Sequence, residues 1–215
     1  MLRPHLQIGE LVREAVLVEA GAPLTHVYLP LSGVISVRNS LLEGQTVEVA
    51  MIGPDSVFGA SAGLADDVSL IDAVVRLPGT ASILEVARFR AAADRSATFR
   101  TLLARHEQAL FAQAQQSVAC NASHSVEARL ARWLLHVRDR TSSEGLPLTQ
   151  EVLAQMIGVQ RNAVSIVAHA LQKAGILRYS RGHLEITDAE GLRETSCECY
   201  RTVRAQHHRL LRTPD

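Results

Sequence analysis

Gln160, Arg161, Asn162, Ser165, His169, Gln172 and Lys173 share the outer face of one short helical repeat, and no carboxylate falls among them. Those residue types suit the edges of nucleic-acid bases. A guanidinium forks onto guanine, and a carboxamide pairs with adenine, in the major groove. A face without acidic groups also tolerates phosphate. The competing reading is an ordinary solvated helix, because short motifs carry false positives.

The elements that would present this face are local and well marked. Leu148 to Leu177 reads LTQEVLAQMIGVQRNAVSIVAHALQKAGIL. Val152, Leu153, Met156 and Ile157 form an apolar stripe behind Thr149, an N-cap residue. Gly158 supplies the turn, and Val164, Val167, Ala168 and Leu171 recur at helical spacing before Gly175. Two helices around a glycine turn, the second polar and cationic, make a helix-turn-helix. Ile176 to Tyr179 and Leu184 to Ile186 then flank Ser180-Arg181-Gly182-His183 as a β-hairpin wing. Thr187 with Glu190 predicts a capping box opening a last helix that carries Leu192, Tyr200, Val203 and Leu210. Upstream, Ser125 precedes a helix with Val126, Leu130, Trp133, Leu134 and Val137 on one face, Trp133 being its core anchor. Thr141 to Pro147 is a polar linker.

Residues before about Arg90 read as short strands such as AVLVEA, HVYLP, VISVRN, TVEVAMI, LIDAVVRL and ASILEV, punctuated by Gly and Pro turns. That pattern predicts an antiparallel jelly-roll barrel. From about Asp94 to Ala122 the period becomes helical, with Phe99, Leu103, His106, Leu110, Gln113 and Ser117 on one seam. Its length favours a two-stranded contact with a second copy over a helix lying on its own barrel.

Composition bounds the rest. The chain has 215 residues and 47% hydrophobic content, enough for two modest domains. Its formal net charge is zero. Up to residue 125 there are 9 Lys+Arg against 12 Asp+Glu, giving −3, and beyond it 13 against 10, giving +3. That sign suits a C-terminal part facing phosphates. No uncharged apolar run approaches the ~18 residues of a membrane span, and no secretion signal opens the chain. The expectation is therefore a cytoplasmic protein without membrane contact. Three cysteines fit a reducing compartment.

This order of parts resembles the Crp/Fnr family of bacterial transcription regulators. The likeness covers nearly the whole chain and is most specific in Leu148 to Leu177 and in the preceding EARLARWLL. It implies an α+β chain: a cyclic-nucleotide-binding-like barrel over 1–93, a long dimerisation helix over 94–124, and a winged helix-turn-helix with a C-terminal helix over 125–215. It implies base contacts from Gln160, Arg161, Asn162 and Ser165. Asn162 stands where many members carry glutamate and Ile166 where some carry arginine, so adenine and a thymine methyl are the expected contacts. Thr149, His169 and Arg181 are expected at phosphates. The family's phosphate cassette is degenerate here. Ala60 follows Gly59 where a ribose-binding glutamate belongs, and Leu70, Ile71 and Asp72 replace the Arg-Ser pair. A cyclic phosphate would lose its charge-assisted partner and meet a carboxylate. Arg76 is nearby, with its direction undetermined. The chain also opens without the family's usual leading helix, so a truncated or misassigned start is expected.

No cofactor and no metal are expected. No cysteine precedes Cys120, which removes the family's iron–sulfur mechanism. His26 and His106 are lone candidates for haem. Cys197, Cys199, His207 and His208 are a possible soft-ligand set, yet on one helix Cys197 and Cys199 would point about 200° apart. The expected function is a non-enzymatic, homodimeric regulator binding palindromic double-stranded DNA, not governed by cyclic nucleotides. Three alternatives stand beside it. The barrel senses another small ligand, or a redox or metal signal; the barrel is a cupin-like enzyme using His5 and His26; or barrel and helix dock a partner such as RNA polymerase.

Overall fold

The computed structural model describes residues 2–65, 68–141, 143, 145–180 and 182–211. Seven strands form the N-terminal half: β1 (Gln7–Leu11), β2 (Val16–Val18), β3 (His26–Pro30), β4 (Val34–Ser40), β5 (Thr46–Ile52), β6 (Asp72–Leu77) and β7 (Gly79–Glu85). They pair antiparallel in two sheets, ordered β1-β7-β3 and β2-β6-β4-β5. The helices α1 (Val86–Asp94), α2 (Ala97–Ser123) and α3 (Val126–Arg138) follow. Then come the short strand β8 (Gly145–Leu146), the helices α4 (Gln150–Ile157) and α5 (Arg161–Lys173), the strands β9 (Leu177–Ser180) and β10 (His183–Ile186), and α6 (Ala189–Thr195) and α7 (Cys199–Leu211). This is the α+β architecture expected from the strand and helix periods.

The barrel interior is closed by Val27, Ile35, Val37, Ala50, Ile52, Phe58, Ala73, Val75, Ala81 and Leu84, packed as one apolar cluster. The four-stranded sheet is buried on its second face as well. Val34, Met51 and Leu77 belong to a separate core with Leu130, Trp133, Leu134, Leu153, Met156 and Ile157. On β6 every residue is therefore buried, and the alternation that would separate inside from outside is lost. Among polar groups on this outer face, Glu48 accepts a 2.5 Å hydrogen bond from Trp133 Nε1. Trp133 is 1% exposed and anchors this core, as its apolar setting in the sequence predicts.

Ser96 caps α2 by accepting from the Phe99 amide at 3.1 Å, and Ser125 does the same for α3 at the Ala128 amide. The last helical pair departs from expectation. Asp188, not Thr187, caps α6, accepting from the Glu190 and Gly191 amides at 3.0 Å. Thr187 instead donates its hydroxyl to the Gly175 carbonyl at 2.7 Å, tying the wing to the end of α5. A carboxylate one residue later wins because it serves two orphan amides with a full charge at a helix start.

The seam of α2 is also corrected. Phe99, Leu103, His106, Leu110, Gln113 and Ser117 face the chain's own body rather than solvent. Leu103 joins the barrel core with Phe99 and Leu110 against it, and the Phe99 ring meets Phe89 edge-on at 5.3 Å. His106 Nε2 accepts from the Val57 amide at 3.0 Å and meets the Ser56 hydroxyl at 2.8 Å. Gln113 and Ser117 are buried as well. The helix is long because it serves two regions in turn: its first half covers the barrel, and its second half packs along α7.

Glu48 provides a test of how the two halves hold together. Burial pushes its carboxyl from 4.5 up to about 7, outweighing the opposing pull of Ser36, Trp133, Arg76 and Arg132. The unfolded chain ionises this group near 4.5 while the folded chain retains the proton to about 7, so its contribution is favourable at low pH and is lost as pH rises through that window. The full penalty above it is on the order of 3 kcal/mol. Denaturant unfolding of Glu48→Gln, which keeps an acceptor for Trp133, is expected to show a flatter stability profile between pH 4.5 and about 7 and higher stability than wild type above that window.

Candidate nucleic-acid interface

Thr149 begins the reader. It adopts an extended backbone and its hydroxyl accepts from the Val152 amide at 3.2 Å, so α4 starts where the sequence places it. Leu153, Ala154, Met156 and Ile157 are buried beneath. At the other end Arg129 of α3 donates to the Ile157 carbonyl, satisfying an acceptor that the helix terminus leaves open. Gly158 follows with φ +63 and ψ 50, and the amide of Val159 closes the turn on the Ala154 carbonyl at 3.0 Å. A side chain there would be strained, and its Cβ would lie 3.2 Å from the Val47 methyl of β5.

Gln160 is the N-cap of α5 without a side-chain cap bond, so its carboxamide is exposed and free to project. Arg161 and Asn162 follow on the exposed first turn, which holds no acidic residue. Arg161 makes no ion pair among the described residues. Ile166 is 72% exposed on the same face, and His169 is exposed one turn further on. An isoleucine so bare is costly in water unless a partner covers it. Val164, Ala168 and Leu171 fill the opposite side, buried at 0 to 3%. The helix is thus amphipathic, with a cationic start whose dipole adds to the attraction for anions.

Ser165 is placed differently from its neighbours. Its hydroxyl donates to Gln150 Oε1 at 2.5 Å, locking α5 against the first turn of α4. It positions the reading helix, and Gln150 is the partner that no local sequence signal marks. Gln172, though exposed, is also engaged, accepting from the Tyr179 amide of the wing at 3.3 Å, while Tyr179 donates its own hydroxyl to the Leu148 carbonyl at 3.0 Å. Arg178 is neutralised on Glu185 across the wing, at 2.5 and 2.9 Å. Arg181, expected at phosphate, lies outside the described residues.

The barrel positions are less suited to a ligand. Gly59 and Ala60 open a short 3-10 turn, Ala60–Gly63, with Ala60 buried. Leu70 is 86% exposed and Ile71 half-buried. Asp72 accepts from the Ala20 amide at 2.8 Å and from the Ser40 hydroxyl, and lies 3.9 Å from Arg38. The Ser40 and Ala20 bonds hold its carboxyl below the usual range. Arg76, 1% exposed, bonds Glu14 at 2.9 and 3.1 Å on the outer side of β6, whereas Ala73 and Val75 point into the barrel core. His26 meets the Thr25 hydroxyl at 2.9 Å, and His5 lies by Arg88 at 3.2 Å, so neither joins a ligand set.

The expected soft-ligand group is redrawn. His207 approaches Asp55 at 3.6 Å instead of the cysteines. Cys197 precedes α7 and Cys199 starts it, so no helical turn forces them apart, and both meet Cys120 and His124 at the end of α2. Among the described residues no helix is long and apolar enough to cross a membrane.

Known proteins share these parts. The family described as the Crp-like helix-turn-helix domain matches residues 128–195, and the cyclic nucleotide-binding domain family matches residues 9–96. The cyclic AMP receptor protein of Thermus thermophilus is 28% identical over 176 residues, 78% of this chain and 77% of that relative. FixK2 from Bradyrhizobium japonicum superposes with a TM-score of 0.76 at 15% identity, covering 89% of this chain and 98% of its own. A CRP/FNR-family transcriptional regulator, also from Thermus thermophilus, gives 0.72 at 21%, covering 88% and 98%. At those identities the two structures show a common fold.

The turn between the two helices is a sensitive point. Gly158→Ala is expected to destabilise the chain by about 1–2 kcal/mol, because an L-residue must hold the left-handed conformation. Chemical denaturation checks this, and an unchanged midpoint would mean that the turn adopts another backbone shape.

Proposed function

The chain belongs to the Crp/Fnr family of transcription regulators, and from that premise we propose that it acts as a homodimer which binds palindromic double-stranded DNA through α5. One observation carries the reading. The exposed face of α5 offers Gln160, Arg161, Asn162, Ile166 and His169 with no carboxylate on the helix, and among the described residues no ion pair holds Arg161. Arg161 suits guanine, Asn162 adenine, and Ile166 a thymine methyl. Thr149 and His169 suit phosphate, and Ser165 contributes by fixing the helix. No catalytic role is assigned to the chain.

The dimer contact belongs on the other side of α2 from the seam read in the sequence. Ala104, Gln108, Phe111, Gln115, Val118 and Ala122 are all exposed, and they follow one another at alternating steps of four and three. Phe111 is 63% and Val118 69% exposed. That spacing is the a/d repeat of a two-stranded coiled coil, with Gln108 and Gln115 as polar positions that set register. A second copy related by a two-fold axis covers this face. It also brings two readers to half-sites about one helical turn, ~34 Å, apart.

The cassette supports independence from cyclic nucleotides. Where a ribose and a charged phosphate would sit, this chain offers Ala60, Leu70 and Ile71, with Asp72 already bonded and Arg76 turned outward. The relative named as a cyclic AMP receptor protein therefore lends this chain its fold and its reader, not its ligand. RNA polymerase is a candidate partner for the exposed barrel face once the protein is on DNA.

Binding and sedimentation measurements test this reading. Selection from random duplexes is expected to return a palindrome whose affinity falls steeply with salt, through counterion release. Adding cyclic AMP should leave that affinity unchanged. Asn162→Ala should relax discrimination at one base pair by about 1–3 kcal/mol; loss of affinity with discrimination intact would remove that contact. In sedimentation, Phe111→Asp with Val118→Asp is expected to yield monomers that bind single half-sites weakly. A dimer that survives both substitutions would place the contact elsewhere.

A further inference from the structure

Three cysteines and a histidine from distant parts of the chain converge where α2 ends. Cys120 lies on its last turns and His124 is its C-cap, while Cys197 and Cys199 flank the start of α7, over seventy residues later. Cys120 Sγ is 3.5 Å from Cys197 Sγ, and Cys199 Sγ is 3.6 Å from His124 Nδ1. All four ligand atoms lie within 4.8 Å of one another. A tetrahedral zinc with Zn–S of about 2.3 Å has sulfur–sulfur edges of about 3.8 Å, so a small contraction closes this set around one ion.

The surroundings have the features of a built site. Cys120, Cys199 and Cys197 are 0, 1 and 8% exposed, and the three are free thiols. Gln116 Nε2 donates to Cys199 Sγ at 3.0 Å. His124 turns Nδ1 toward the thiols, and its Nε2 faces Glu198 Oε1 at 3.2 Å, which is the carboxylate arrangement that fixes a ligating imidazole. Three thiolates around a divalent ion leave a net charge of −1. Arg129 and Arg132, both buried on α3, are electrostatically coupled to these thiols and offset that charge. Among the described residues the three thiols form an apolar cluster of their own, with Ala128 its one further apolar member, so they gain little from apolar burial alone.

We propose that Cys120, His124, Cys197 and Cys199 bind one thiophilic divalent cation, with Zn2+ the best chemical match, and that the ion pins α7 across the junction of α2 and α3. Three thiolates and one imidazole with a closed shell make a structural site, not an open catalytic one. The ion joins the base of the dimer helix to the last helix of the reader, so its occupancy sets how rigidly the reader is held. The site lies apart from α5 and from the exposed α2 repeat, and its test needs no DNA.

The experiment titrates the full-length, reduced, metal-free protein with Co2+ under anaerobic conditions. The expected result is saturation at one equivalent per chain. Intense tetrahedral d–d bands and thiolate-to-cobalt charge transfer should appear, and one equivalent of Zn2+ should bleach both. Cys199→Ser should lose about one third of the charge-transfer intensity, as one of three thiolates is removed. His124→Ala should weaken binding at least tenfold, whereas His207→Ala should match wild type. Zn2+ should also raise the melting temperature of wild type, since it binds only the folded chain. Where a cysteine variant fails to fold, the wild-type titration still decides. Substoichiometric binding, or an octahedral spectrum without thiolate charge transfer, overturns the proposal. So does a Cys120–Cys197 disulfide that forms in air despite excess Zn2+.

Discussion

The middle of the four-stranded sheet, β6 with the adjoining parts of β4 and β5, is buried on both faces, and the rest of the molecule follows from that constraint. One face carries Ile35, Val37, Ala50, Ile52, Ala73 and Val75 into the barrel. The other supplies Val34, Met51 and Leu77 to the core built by α3 and α4. A sheet covered on one side only would expose this second apolar set to water, at roughly 25 cal/mol for each Å² uncovered. The reader is thus no appendage on a flexible tether. Its first helices complete the barrel's outer layer, with Ser36 bonded to Met156 of α4 and Glu48 to Trp133 of α3.

Polar groups in that shared layer make it responsive. Glu48 bonds Trp133 with one oxygen, and among the described residues its other oxygen has no hydrogen-bond partner, while Arg76 satisfies only part of its guanidinium, on Glu14. Buried charges of this kind add little stability compared with apolar replacements of the same shape. They do make the contact between barrel and reader selective in its geometry, because a slip leaves each charge without its remaining bond. The β4–β5 hairpin and the turn at Gly158 also share a crevice lined by Glu43, Thr46, Glu151 and Gln160. The hairpin thus abuts the N-cap of α5, Gln160.

The reader was legible in the sequence because its signals are local. Thr149, Gly158 and the stripe from Val152 to Ile157 each state a backbone requirement within a few residues, and the structure meets them. The face of α2 was not legible. Phe99-Leu103-His106-Leu110-Gln113-Ser117 and Ala104-Gln108-Phe111-Gln115-Val118-Ala122 carry the same alternation of four and three, so periodicity alone cannot say which seam meets its own barrel. The first has the larger apolar residues at its start because the barrel core needs them there. The direction of Arg76 escaped for a related reason: strand alternation encodes a side only when one side is wet, and β6 has none. The cysteine cluster escaped because its members are brought together across seventy-seven residues, and because α7 starts at Cys199 and not before Cys197.

The same constraint keeps the barrel's place in the chain independent of what its interior binds. A pocket for a charged nucleotide needs cations aimed inward, at the expense of apolar packing. Here the inward positions of β4, β5 and β6 hold Ile, Val and Ala, and the buried arginine of β6 bonds Glu14 on the outer side of the strand. The interior then stabilises the sheet without a ligand, and the sheet's outer face still has to present α3 and α4 in a fixed pose. The layer of Glu48 and Trp133 and the packing of α2 along α7 are therefore the joints through which barrel, long helix and winged domain hold one another in place.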